Sequence, residues 1–302
     1  MTNSKRFRGN ILLFIAAFIW GTAFVAQREG VNVLHPCTYN GIRNFVGCIA
    51  LLPVILIMDS GAKRKGTFVK DNPKTLILGG ILCGVILFVA STLQTMALTD
   101  ADEGKAGFMT ALYLIIVPVI GVFMGRKIKP VIWVCVVLAT FGLYFLCVEK
   151  GTGFSFDKSE MLLLGCAFVF AMHILVIDYF SPRVNGVKLS FLQFFVVGVI
   201  SLVYIILIDK PTLNSIFQCA IPILYAGVMS SGVAYTFQIL GQKDAEPAVA
   251  SIIMSMESLF ALLAGIIISG NRPTSRAIIG CMLMFAAIML IELPNLKRKK
   301  QQ

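Results

Sequence analysis

A chain of 302 residues with a net charge of +11 is long enough for one or two soluble domains, but its composition excludes them. Apolar residues make up 58% and charged residues 14%, against roughly 45–50% and 25% in soluble domains, which leaves too little polar sequence for a hydrated shell. The basic excess does not point to nucleic acid either: nearly all Lys and Arg fall in short connectors between apolar runs, as topology signals at a membrane surface do.

A spanning helix needs about 20 mostly apolar residues. In chain order such runs are predicted over residues 10–28, 40–58, 75–98, 106–124, 130–148, 161–178, 189–208, 219–241, 247–269 and 275–293. The first has the look of a signal peptide, with Lys5, Arg6 and Arg8 ahead of an apolar stretch from Ile11. No A-x-A site follows, and Gln27-Arg28-Glu29 ends the run in charge, so it is read as the first helix. Breakers sit between runs at Asn72-Pro73, Lys129-Pro130, Ser181-Pro182, Lys210-Pro211, Glu246-Pro247 and Arg272-Pro273. The expectation is an all-α integral membrane protein of ten transmembrane helices.

Lys and Arg set its orientation. Connectors on the side of the N-terminus hold 18 of them and the opposite connectors 7, while Arg43 falls inside the second helix. The richer side faces the cytoplasm, so both termini are expected there, in a protein of the cell membrane. Most of this bias lies in helices 1–5.

Residues 90–102 read ASTLQTMALTDAD and residues 234–246 read AYTFQILGQKDAE. An offset of 144 aligns Ala90 with Ala234, Thr92 with Thr236, Gln94 with Gln238, Asp100 with Asp244 and Ala101 with Ala245, and sets Asp102 against Glu246. More weakly, IAAFIW at 15–20 aligns with GCAFVF at 165–170. The sequence therefore reads as two repeats, 1–150 and 151–302. Each holds five helices, an odd number, so the second enters the membrane from the opposite side. Two inverted five-helix repeats are the architecture of many secondary transporters.

With these features the chain resembles the ten-helix EamA-like branch of the drug/metabolite transporter superfamily. The residues carrying the likeness are Trp20-Gly21-Thr22-Ala23-Phe24-Val25, Arg43-Asn44-Phe45, Gln94 to Asp102 and Ala250 to Gly265, with Glu257 at the place of the family's helix-9 acid. The chain departs from the family at Gly125-Arg126 and Gly270-Asn271, where Gly-Glu is common. It also lacks the helix-1 glutamate that small multidrug-resistance relatives use for proton coupling. The resemblance implies a cavity lined by helices 1, 3, 4, 6, 8 and 9, with helices 5 and 10 as supports.

Polar groups in a spanning helix are costly and usually face a cavity or a partner. Glu257 lies about ten residues into helix 9, roughly 15 Å deep at 1.5 Å per residue. Two readings stand: a substrate-cation ligand or proton carrier, and a hydrogen-bonded group joining helices. The 144 offset pairs Glu257 with Tyr113 on helix 4, where Thr110, three residues earlier, shares its face. Trp20, two residues from Thr22 in the same motif, offers a stacking and cation–π surface or simple packing. His173 is read either as a proton relay or as a satisfied structural imidazole. Gln94 and Gln238 flank the two mouths of a path or bond helix to helix. Arg43 attracts an anionic group, snorkels to the interface or pairs with Glu29. The substrate-site candidates are thus Trp20, Thr22, Arg43, Gln94, Thr110, Tyr113, His173, Gln238 and Glu257.

Eight cysteines lack a C-x-x-C pair, and no second ligand stands at metal spacing from His173. No P-loop and no nucleophile constellation occur, so neither an enzyme, nor a cofactor, nor direct drive by ATP is expected. The expected function is a secondary transporter moving a small metabolite, an amino acid or another amphipathic compound, outward by alternating access. A nucleotide-sugar or organic-anion exchanger is the rival within the superfamily, and a channel the rival from another class. Expected partners are a small-molecule substrate, the lipid bilayer and a candidate coupling proton, with no nucleic acid; the chain acts as a monomer or homodimer.

Overall fold

A computed structural model describes residues 3–101, 103–147, 157–269 and 274–299. Asp102, Gly270, Asn271 and the boundary at 150/151, all used above, lie outside the described residues. Among the described residues the protein is helical throughout and holds no strand.

Helix α1 runs Asn3–Val31, α2 Pro36–Arg64 and α3 Pro73–Ala97. Helix α4 has two arms, Glu103–Ala111 and Tyr113–Phe123, and α5 is Pro130–Cys147. Helix α6 is Lys158–Phe180; α7 is Gly186–Tyr204 and ends in the π-helical turn Ile205–Asp209. A short helix, Leu213–Gln218, precedes α8, which comprises Ala220–Tyr225, a π-helical stretch Ala226–Tyr235 and Thr236–Gln242. Helix α9 again has two arms, Pro247–Met254 and Glu257–Ser269, and α10 is Ser275–Lys299.

Helices α1 to α4 and α6 to α9 are long and apolar enough to cross a membrane, while α5 and α10 carry the shorter apolar stretches Pro130–Leu146 and Ser275–Ile291. Several starts follow from local chemistry. Pro36, Pro73 and Pro247 open α2, α3 and α9, where a missing N–H costs nothing. Asn72 and Asn185 cap α3 and α7 by accepting backbone N–H bonds from Lys74 and Thr75 and from Val187 and Lys188.

Burial is inverted relative to a soluble protein. Large apolar side chains such as Ile57, Phe217 and Ile221 face outward, whereas Asn40, Arg43, Asn44, Gln94, Thr110, Gln238 and Glu257 are buried. Helix α1 packs on α8 and α9, and α6 packs on α3 and α4; α2 pairs with α7 and α5 with α10. Small residues permit the closest crossings. Gly9 and Gly241 meet where α1 crosses α8: a Cβ on either would sit 2.8 Å from the other's carbonyl oxygen.

Two of the expected continuous helices are interrupted. Helix α9 breaks at Ser255-Met256, where the hydroxyls of Ser251 and Ser255 bond back to the carbonyls of Ala248 and Ile252 and the backbone tightens to i→i+3 bonds. Helix α4 breaks at Leu112, again with i→i+3 bonds on either side. The second arms therefore begin with Glu257 and Tyr113, the residues that the 144 offset pairs.

Candidate functional site

The two breaks bring their following residues together: the Tyr113 hydroxyl donates to Glu257 Oε1 over 3.0 Å. Both side chains line a cavity among the helices. Seven of the nine sequence candidates line it: Trp20, Arg43, Gln94, Thr110, Tyr113, Gln238 and Glu257.

Arg43 is 2% exposed and Glu257 5% exposed, yet no ion pair involves either among the described residues. Arg43 thus neither snorkels to an interface nor pairs with Glu29. Its Nε donates to Asn40 Oδ1 (2.9 Å), Asn40 Nδ2 donates to Thr95 Oγ1 on α3 (2.9 Å), and the Tyr39 ring lies 5.7 Å from the guanidinium carbon. Gly227 lets α8 press against α2 here, since a Cβ on it would lie 2.8 Å from the Arg43 carbonyl oxygen. Gln94 Nε2 donates to Thr110 Oγ1 over 3.3 Å. Gln94 and Gln238, expected to flank opposite mouths or to bond helix to helix, line the same cavity, and among the described residues Gln238 Oε1 has no hydrogen-bond partner.

The aromatic wall is built from Trp20 on α1 and Tyr235 at the end of the π-helical stretch, with ring centroids 4.7 Å apart at 61°. The wider π turn is a recurrent feature of functional sites, and it sets both Ser230 and Tyr235 on the cavity.

Two candidates stand elsewhere. Thr22 is held by Ile19 O (2.9 Å) and the Tyr225 hydroxyl (2.6 Å), clamping α1 to α8. His173 is fully buried behind the wall, its Nε2 3.1 Å from Gln193 Oε1 and its ring against Tyr235 and Phe170. Neither lines the cavity.

The cavity also includes Phe24, Gln27, Phe170, Ile174, Ser230, Tyr235 and Met254, which sequence reasoning did not select. Phe170 had a signal, since it is the counterpart of Trp20 in the IAAFIW/GCAFVF match. Helix α2, outside the lining implied by the resemblance, contributes through Arg43, while α5 and α10 contribute nothing to the cavity among the described residues. No cluster of three metal-ligating side chains occurs among the described residues.

Long apolar helices around a buried, polar-lined cavity define a multi-pass membrane protein. Residues 7–148 and again 157–293 match the EamA-like transporter family, and the chain belongs to that family, within the drug/metabolite transporter superfamily. A protein of Archaeoglobus fulgidus named "uncharacterized transporter" is 27% identical over 297 residues, covering 96% of this chain and 87% of that protein. The Bacillus subtilis "uncharacterized transporter YoaV" is 23% identical over 289 residues, covering 93% and 95%. A solved crystal structure, 17% identical, shares the fold with a TM-score of 0.75 over 96% of this chain and 98% of that one.

Proposed function

We propose that this transporter is a secondary carrier for a small metabolite, an amino acid or another amphipathic compound, which it exports across the cytoplasmic membrane by alternating access. Two five-helix halves, 1–150 and 151–302, cross the bilayer in opposite senses, ten spans in all, with both termini in the cytoplasm. Rocking of the halves exposes the central cavity to one side and then the other.

The observation that carries this reading is the Tyr113–Glu257 bond. It joins positions 144 residues apart, equivalent under the repeat, each at the start of a helix arm within the cavity. Discontinuous helices at the repeat interface are where secondary transporters hold their substrates. The packing supports the same reading, because α1 on α9 matches α6 on α4, and α1 on α8 matches α6 on α3. The family match also falls in two segments, either side of residue 150.

Uptake of a metabolite panel into proteoliposomes, with and without a pH gradient, tests the proposal. Saturable counterflow is expected, and steady conductance without counterflow identifies a channel instead. Glu257→Gln changes substrate affinity or the response to the gradient; unchanged transport on both counts removes Glu257 from the site. Buried Arg43 favours a second reading, an organic-anion exchanger, which competition by nucleotides against a labelled substrate would reveal.

A further inference from the structure

We infer that the turn between α2 and α3 is a docking surface for the headgroups of anionic phospholipids in the adjoining membrane leaflet. The inference needs only a multi-pass membrane protein and stands whether or not the carrier reading holds.

Exposure places this turn at headgroup depth. Helix α2 has 29 residues, about 44 Å at 1.5 Å per residue, against roughly 30 Å of hydrocarbon in a bilayer. Its outward apolar surface runs as far as Ile57 and Met58, and that of α3 begins at Ile77 and Leu78. Residues 59–76 therefore lie beside the polar layer of one leaflet. They hold five exposed cations, Lys63, Arg64, Lys65, Lys70 and Lys74, and two acids, Asp59 and Asp71. Val69, 83% exposed, sets an apolar side chain among them, which suits a lipid surface better than bulk water.

Both acids are withdrawn from these cations. Lys188 at the start of α7 pairs with Asp59 (2.9 Å) and Asp71 (3.7 Å), and Asp71 Oδ1 also accepts from the Asn185 backbone N–H (2.7 Å). Among the described residues none of the five cations has an ion pair. Lys74 stands in the first turn of α3, where the helix end is itself positive and no acidic residue offsets it. The turn as a whole calls for an outside anion.

Backbone and ring contacts fix the array. Gly66 takes the left-handed conformation (φ 65°) and closes α2: its N–H donates to Lys63 O (3.2 Å), and that of Thr67 to Ala62 O (3.0 Å). The Phe68 ring then lies against two cations, with Lys63 Nζ 5.2 Å and Lys188 Nζ 5.4 Å from its centroid. The Asp71–Asn185 bond fastens the far end of the turn to α7. A topology signal requires only a count of charges, whereas these contacts hold the charges in place beside a headgroup layer. Clusters of Lys and Arg next to a spanning helix attract anionic lipid in this way, and the lipid phosphate is already at this depth.

The test is a titration of the purified full-length protein in detergent with dioleoyl phosphatidylglycerol or dioleoyl phosphatidylcholine, bound lipids being counted by native mass spectrometry. Phosphatidylglycerol should bind about tenfold or more tightly than phosphatidylcholine. The triple variant Lys63→Gln, Arg64→Gln, Lys70→Gln should remove that preference. Lys70→Gln alone, outside any helix, should reduce it about threefold or more. The control, Lys127→Gln with Lys129→Gln in the α4–α5 connector on the same side of the membrane, should leave it in place. If the triple variant fails to fold, Lys70→Gln and the control decide. Equal binding of the two lipids, a preference unchanged by Lys70→Gln, or an equal loss in the control overturns the inference. So does displacement of phosphatidylglycerol by inorganic phosphate at the same concentration, which would assign the cations to a soluble anion.

Discussion

The hydroxyl of Tyr113 and the carboxylate of Glu257 meet at 3.0 Å across 144 residues of sequence, each the first residue after a break in its helix. A buried carboxylate with one protein donor depends on that donor. Tyr113→Phe should therefore weaken substrate binding about tenfold, in line with the roughly 1.5–3 kcal/mol of a hydrogen bond to a charged group. Transport kinetics in proteoliposomes measure it, and unchanged affinity would mean that the bond only joins helices.

Removing the aromatic face at Trp20 should be more damaging than shortening it. Trp20→Ala is expected to cost substrate affinity about tenfold or more, whereas Trp20→Phe retains most of it, because a ring remains to pack on Tyr235. Equal losses in the two variants would deny the wall a role in binding. Transport kinetics of the two variants in proteoliposomes check this.

His173 is read here as the support of Tyr235. His173→Gln should lower thermal stability by about 1–3 kcal/mol, the range for disturbing a buried hydrogen-bonded group, and leave the pH profile of transport unchanged. A flattened profile would restore the proton-relay reading. Thr22→Val makes a parallel case: loss of the bond to Tyr225 should lower stability by about 1 kcal/mol while substrate affinity holds.

The α5–α10 crossing gives a prediction about packing alone. A Cβ on Gly142 would lie 3.0 Å from the Gly280 carbonyl oxygen, and one on Gly280 would lie 2.6 Å from that of Gly142. Gly142→Leu should therefore destabilise the protein by about 1–3 kcal/mol through overpacking. Gly61, with nothing within 4 Å of an added Cβ, is the control. Gly61→Ala should be neutral or stabilising by about 0.4–1 kcal/mol, through the reduced freedom of the unfolded chain. Thermal unfolding in detergent compares the two.

Much of this site was legible in the sequence because polar residues stand out in apolar helices. Gln94 and Gln238 revealed the offset, and that offset pointed from Glu257 to Tyr113 before any geometry was known. The breaks at Leu112 and Ser255-Met256 were not legible. Serines bonding back to the preceding turn are common in membrane helices, and whether they interrupt one depends on what packs around it. Phe24, Ile174 and Tyr235 were missed for a related reason: an apolar or aromatic side chain in an apolar run looks the same whether it lines a cavity or fills a core. Thr22 was selected from its motif, but its hydroxyl is taken by Tyr225, a contact across 203 residues that no local pattern encodes.

The account depends most on the two halves crossing the membrane in opposite directions around the Tyr113–Glu257 contact. Compartment reporters fused at the N-terminus and inserted after residue 150 measure this directly. The account predicts that the first reports the cytoplasm and the second the outside. Both reporters in one compartment would contradict it.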